Sequence, residues 1–219
     1  MARVTPKTIG ESLYWSYANL AMAFASARHE EPDYQQRDFI VRNKIYHGLS
    51  RGTLQIGSLI IDEKEKLATS GLCCYCASDV DLTLDHLIPQ FKGGPHSADN
   101  LVVACRSCNS SKRALDLLEW MAKRDVFPPL GLLRRYLKFA IRYCIENGLM
   151  DKPLETPNGL KDRVPTLFDT LDASETAEND VIPTTCPFAI HLIPYDYPEP
   201  GDLWGRATDA EGLQEIEPF

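Results

Sequence analysis

Asp85 and His86 stand side by side in "LDHLIP", with one Cys-x-x-Cys pair before them (Cys73, Cys76) and a second after them (Cys105, Cys108). Two asparagines, Asn100 and Asn109, and a lysine, Lys112, complete the polar set. Hydrolysis of a phosphodiester asks for groups of these types. A water must lose a proton, and the departing oxygen needs a cation to stabilise its growing charge. Imidazole is neutral and basic near physiological pH, which suits His86 to the first task. Hard oxygen donors favour Mg²⁺ or Mn²⁺, and Asp85 and Asn109 supply a carboxylate and an amide for the second. Lys112 follows Asn109 by one helical turn, about 5–6 Å away between Cβ atoms. It is expected to meet a phosphate oxygen there, with Arg113 beside it and Lys92 in the preceding loop as further substrate contacts.

The four cysteines imply a different metal. Thiolates are soft ligands, and four of them satisfy a tetrahedral zinc with no open position, which describes a structural site. Cys73, Cys76, Cys105 and Cys108 are therefore expected to hold Zn²⁺ and to clamp the ends of a small hairpin, so that metal binding becomes folding energy. A redox dithiol and unrelated buried cysteines are the competing readings, which the doubling of the motif disfavours. Cys74 is expected to be a non-ligand, with a swap for Cys73 as the alternative, and Cys144 a small core residue on a helix.

These residues need elements to position them. "LTL" (82–84) and "LVVA" (101–104) are short β-like runs separated by the turn-rich "PQFKGGPHSADN". Alternation along the first strand sends Asp85 and His86 to opposite faces. After Cys108, "SSKRALDLLEWMAKR" reads as one helix with Leu115, Leu118 and Met121 inward, and "FPP" at 127–129 restarts the chain into "LGLLRRYLKFAIRYCIEN", closed by Gly148. Upstream, "TIGE" is a capping box in which Thr8 caps and Glu11 sits at N3, opening a helix that is apolar on most faces. Asp33 is expected to open a second helix with Phe39, Ile40 and Tyr46 at helical spacing. "SLIIDEKEKLATSG" predicts a third, ended by Gly71.

Each functional residue has an ordinary reading when taken alone. An Asp-His pair can be a strand-end coincidence, Asn100 a turn residue, Asn109 a helix cap, His96 a loop residue, and Lys112 and Arg113 a solvated face. Their order within a frame of two cysteine pairs favours the chemistry. The stretch "CCYC…LDHLIPQFKGG…DNLVVACRSCNSSK" resembles the HNH endonucleases in their zinc-stapled ββα-metal form. The resemblance implies that His86 is the general base, that Asp85 and Asn109 hold the catalytic cation, and that Asn100 ties down the loop carrying the base. With asparagine at the third position, the chain resembles the family's H-N-N variants. The resemblance implies DNA as substrate, with 5′-phosphate and 3′-hydroxyl products. It also implies settings such as restriction or anti-phage defence, in which a partner ATPase recruits the nuclease. Cutting both strands with one site per chain would call for a homodimer. A non-catalytic zinc ribbon that binds nucleic acid or protein is the alternative from another class.

The expected fold is α+β, mainly helical around this small motif. A helical region at 1–70 precedes the nuclease core at 71–125; a packing helix at 126–150 and an acidic, proline-rich region at 151–219 follow. The net charge of −8 is unevenly spread: residues 1–150 carry +3 and residues 151–219 carry −11. The basic series Lys123, Arg124, Arg134, Arg135, Lys138 and Arg142 is a candidate DNA surface. The acidic end is expected to be a loosely ordered solubilising tail, a docking segment, or a cover over the basic groove, with "AIHLI" (189–193) as a strand. No run approaches the roughly 18 apolar residues of a membrane span. The start lacks the continuous apolar stretch of a signal peptide. The chain is expected in the cytoplasm, where thiols stay reduced.

Overall fold

The computed structural model describes residues 4–29, 31–59, 62, 71–154 and 188–204. Helix α1 (Ile9–Ser26) starts where Thr8 Oγ1 accepts the Glu11 N–H at 3.2 Å. Glu11 reaches back one residue further than a capping box requires, taking the Lys7 N–H at 2.6 Å. The helix is buried nearly all round, with Leu13, Ala18, Leu20 and Ala21 lost to solvent. Helix α2 (Gln36–Ser50) packs along it and begins later than Asp33, at a Gln35 whose N–H is held by Asp38 Oδ2. Ile40 is correspondingly turned outward, away from the buried Tyr46. The third helix expected over 58–71 falls largely outside the described residues.

Two strands, β1 (Leu82–His86) and β2 (Leu101–Cys105), form one antiparallel sheet in the register Leu82↔Cys105 through His86↔Leu101. Helix α3 (Arg106–Lys112) leaves β2 directly, and α4 (Leu117–Lys123) follows it. These replace the single helix expected after Cys108. Arg113 breaks the run with φ 52°, and Asp116 starts a new helix by accepting the Leu118 N–H at 2.8 Å while Glu119 accepts the Asp116 N–H at 2.9 Å. "DLLE" is itself a capping box, so the restart has a local cause. Leu118 and Met121 face the core as expected, and Leu115 packs against it from the intervening turn.

Helix α5 (Leu130–Glu146) follows Pro129 and ends in a Schellman motif. Gly148 takes φ 64°, its N–H reaches Ile145 O at 3.2 Å, and the Leu149 N–H reaches Cys144 O at 2.8 Å. Cys144 lies fully buried. One apolar core joins α1, the hairpin's inner face, α4 and α5. The architecture is thus α+β, a helical body around a two-stranded sheet.

The expectation of a loosely ordered end is corrected for residues 188–204. Phe188 is inserted among Tyr136, Phe139 and Tyr143, with centroids 5.3–5.5 Å away. Tyr136 Oη accepts the Ala189 N–H at 3.0 Å. Residues 190–192 form a 3₁₀ turn and not a strand. Further on, Tyr195 O accepts from Trp15 Nε1 and Asn19 Nδ2, and Tyr197 Oη meets Ser16 Oγ at 3.1 Å. The buried Trp15, Ser16 and Asn19 side chains of α1 therefore find their partners in chain about 180 residues away, before the short helix α6 (Pro200–Trp204). Phe188→Ala should cost about 3–5 kcal/mol, the usual loss for a buried Phe, read as a shift in the denaturant midpoint.

Candidate functional site

The Sγ atoms of Cys73, Cys76, Cys105 and Cys108 lie within 4.8 Å of one another. Zn–S bonds of about 2.3 Å in a tetrahedron put sulfurs roughly 3.8 Å apart, and the Cys76–Cys105 separation is 3.8 Å. The donor set and spacing fit zinc. Three of the four are buried and Cys76 is exposed. Cys74 is outside the cluster, its N–H donating to Val103 O at 2.9 Å, so the knuckle is stitched to the middle of β2.

The sheet's last residues form the candidate site. Alternation sends Asp85 inward and leaves His86 partly exposed. Asp85 Oδ2 accepts from Tyr75 Oη at 2.6 Å and lies 3.2 Å from Lys112 Nζ, while Oδ1 takes the His86 N–H at 2.8 Å. Burial, first of all, pushes the Tyr75 phenol well above its ordinary range, so it remains a donor. Asn109 anchors itself by donating Nδ2 to Leu84 O at 3.0 Å, and its Oδ1 has no hydrogen-bond partner among the described residues. One Asp85 lone pair and one amide oxygen are thus left at the strand end, hard donors of the kind a Mg²⁺ or Mn²⁺ ion takes.

Asn100 is fully buried. Its Oδ1 accepts the Ile88 N–H, and its Nδ2 donates to Ile88 O and Pro95 O at 2.8 and 2.9 Å. It closes the loop between the strands at both ends. Gly94 completes that closure: a Cβ there would lie 2.1 Å from Ile88 O, so only glycine allows the approach.

Lys112 departs from the expected phosphate contact. Its side chain is 0% exposed, and Nζ donates to His86 O at 2.5 Å beside Asp85. A buried ammonium needs such partners, and these fix the end of β1. Lys92 is also engaged, clamped to Glu119 at 2.6 Å, which leaves Arg113 as the exposed cation of the expected trio. His96 moves the opposite way. Although "GGPHSADN" carries no catalytic signal, the loop turns back to set His96 Nδ1 2.9 Å from His86 Nε2. Burial, then His96 and Lys112, lower the His86 pKa, opposed by Asp85.

Residues 73–116 match the HNH endonuclease family. No curated protein and no solved structure matches the chain. The HNH segment ends at Asp116, so the family match covers the hairpin and α3, while α1, α2 and α5 lie outside it.

The basic series flanking the HNH segment is mostly spent internally. Arg134 Nε and Lys138 Nζ each lie 2.9 Å from the buried Asp62. Arg135 donates to Ala98 O and Asp99 O at 2.9 and 2.8 Å, holding the turn that precedes Asn100. Arg142 pairs with Asp99 at 2.7 Å, and Arg124 lies over the Trp120 ring. Arg134, Arg135 and Lys138 are thus not a DNA-facing surface; α5 uses Arg135 to grip the loop between the two strands and Arg134 and Lys138 to hold Asp62. Among the described residues no helix is long and apolar enough to cross a membrane.

Proposed function

We propose that the protein is a metal-dependent endonuclease that hydrolyses the P–O3′ bond of DNA, leaving 5′-phosphate and 3′-hydroxyl ends. The observation that carries this reading is the strand end itself: the accessible His86 imidazole, the adjacent Asp85 carboxylate on the inner face with a lone pair unspent on Oδ1, and Asn109, anchored to Leu84 O, with its amide oxygen unspent. His86 takes the proton from the attacking water. Asp85 and Asn109 hold the divalent ion, which supplies Lewis-acid stabilisation of the phosphate and leaving oxygen when bound. Asn100 keeps the loop closed, and Lys112 holds the His86 carbonyl, so the imidazole starts from a fixed backbone. Phosphate contacts of this kind position a duplex without reading its sequence, so base selectivity must come from other residues.

Purified protein with supercoiled plasmid should yield nicked or linear DNA with Mg²⁺ or Mn²⁺ and none with EDTA. Untouched plasmid under both conditions, together with nucleic-acid binding indifferent to Asp85→Asn and Asn109→Ala, would instead identify a zinc-stapled binding module.

A further inference from the structure

Asp85 has about four lone-pair sites when ionised. Three are taken: Tyr75 Oη and the Lys112 ammonium share Oδ2, and the His86 N–H occupies one side of Oδ1. The direction in which the carboxylate can still offer electrons is therefore set by what holds Oδ2. Lys112 balances the charge at 3.2 Å, but the shorter bond, 2.6 Å, comes from Tyr75. Tyr75 sits inside the first zinc knuckle, between Cys73 and Cys76, and so cannot move independently of the metal cluster. Its ring is fixed edge-on to Trp120 at 4.9 Å, and Trp120 Nε1 donates to Ser111 Oγ at 3.1 Å. The phenol is thus immobilised by the zinc cluster on one side and by α3 and α4 on the other.

We infer that Tyr75 is a positioning residue that aims the Asp85 carboxylate and couples the zinc knuckle to the cation site. This rests on the reading that Asp85 holds the catalytic ion. Partners that orient a ligating carboxylate typically matter by about 10- to 100-fold in metal affinity. Tyr75→Phe keeps the ring against Trp120 and removes only the hydroxyl.

The test is calorimetric titration of Mn²⁺ into zinc-loaded wild type, Tyr75→Phe and Asp85→Asn, with zinc content and melting temperature measured alongside. Tyr75→Phe is expected to retain one zinc per chain and to bind Mn²⁺ about 10- to 100-fold more weakly. Its plasmid cleavage should recover towards the wild-type rate at saturating Mn²⁺, a split that a purely structural role would not produce. If Tyr75→Phe binds Mn²⁺ like wild type while Asp85→Asn weakens it, Tyr75 has no positioning role and the Asp85 assignment stands. If Asp85→Asn also leaves Mn²⁺ binding unchanged, the Asp85 assignment fails and takes the Tyr75 role with it. Should Tyr75→Phe not hold zinc, Trp120→Phe loosens the ring clamp without touching the knuckle. It should weaken Mn²⁺ binding in the same direction, and unchanged affinity there overturns the inference.

Discussion

Replacing His86 with alanine should lower DNA cleavage by about 10²- to 10⁴-fold, the usual contribution of a positioned general base, while zinc content and melting temperature stay near wild type. The substitution is clean because the backbone carries the structural duties of this residue. Its N–H bonds Asp85 Oδ1 and its carbonyl receives Lys112 Nζ, and both survive in alanine. The side chain's hydrogen bond is to His96, itself exposed. The pH dependence has a definite sign. The base must be neutral, and burial, followed by His96 and Lys112, lowers the His86 pKa below its ordinary 6.5. Activity in His86's limb should therefore be full above that value and be lost only as pH falls through the lowered pKa. Full cleavage by His86→Ala, or an acid limb lying above pH 6.5, would remove His86 from the role.

The parts of the molecule set by local chemistry were legible in the sequence. Thr8, Gly148, the two Cys-x-x-Cys pairs and the alternation through Asp85 and His86 each act on neighbours within a few residues. The parts set by distant partners were not. Arg134 and Lys138 read as a solvated helix face because Asp62, the residue that neutralises them, lies more than 70 residues away. Lys112 misled for the same reason, since its acceptors are on β1. His96 gave no signal because the loop's return to His86 depends on Asn100 and Gly94 gripping Ile88. The restart at Asp116 was visible in "DLLE" but was overridden by the apolar periodicity running through it. Composition misled most at 188–204. Prolines and acids dominate the surrounding region, yet Phe188, Tyr195 and Tyr197 supply aromatic anchors that fill the core. Truncation after Asn147 would remove these anchors, so loss of activity in such a variant would report lost packing and not the release of an acidic cover.

Zinc removal should have the second large effect, and a selective one. The hairpin has five paired positions, of which β1 buries only Asp85, and Leu84 stands 58% exposed. A two-stranded hairpin is marginal by itself. Zinc binding in small cysteine sites supplies about 10–16 kcal/mol, as large as the whole stability of a typical domain. Two of the thiols resist charging without a cation: burial, first of all, raises Cys76 and Cys108, whereas the Cys108 N–H lowers Cys105. Zinc uptake must displace protons from this set, so affinity should fall as pH is lowered. Cys108→Ser, or chelation of one zinc per chain, should abolish cleavage and erase hydrogen-exchange protection over β1 and β2. The contacts of α1 with α2 and α5 do not pass through the metal, so most of the helical circular dichroism should persist. Retained protection in the hairpin after complete zinc loss would mean that packing against α4 and α5, and not the metal, holds β1 in place.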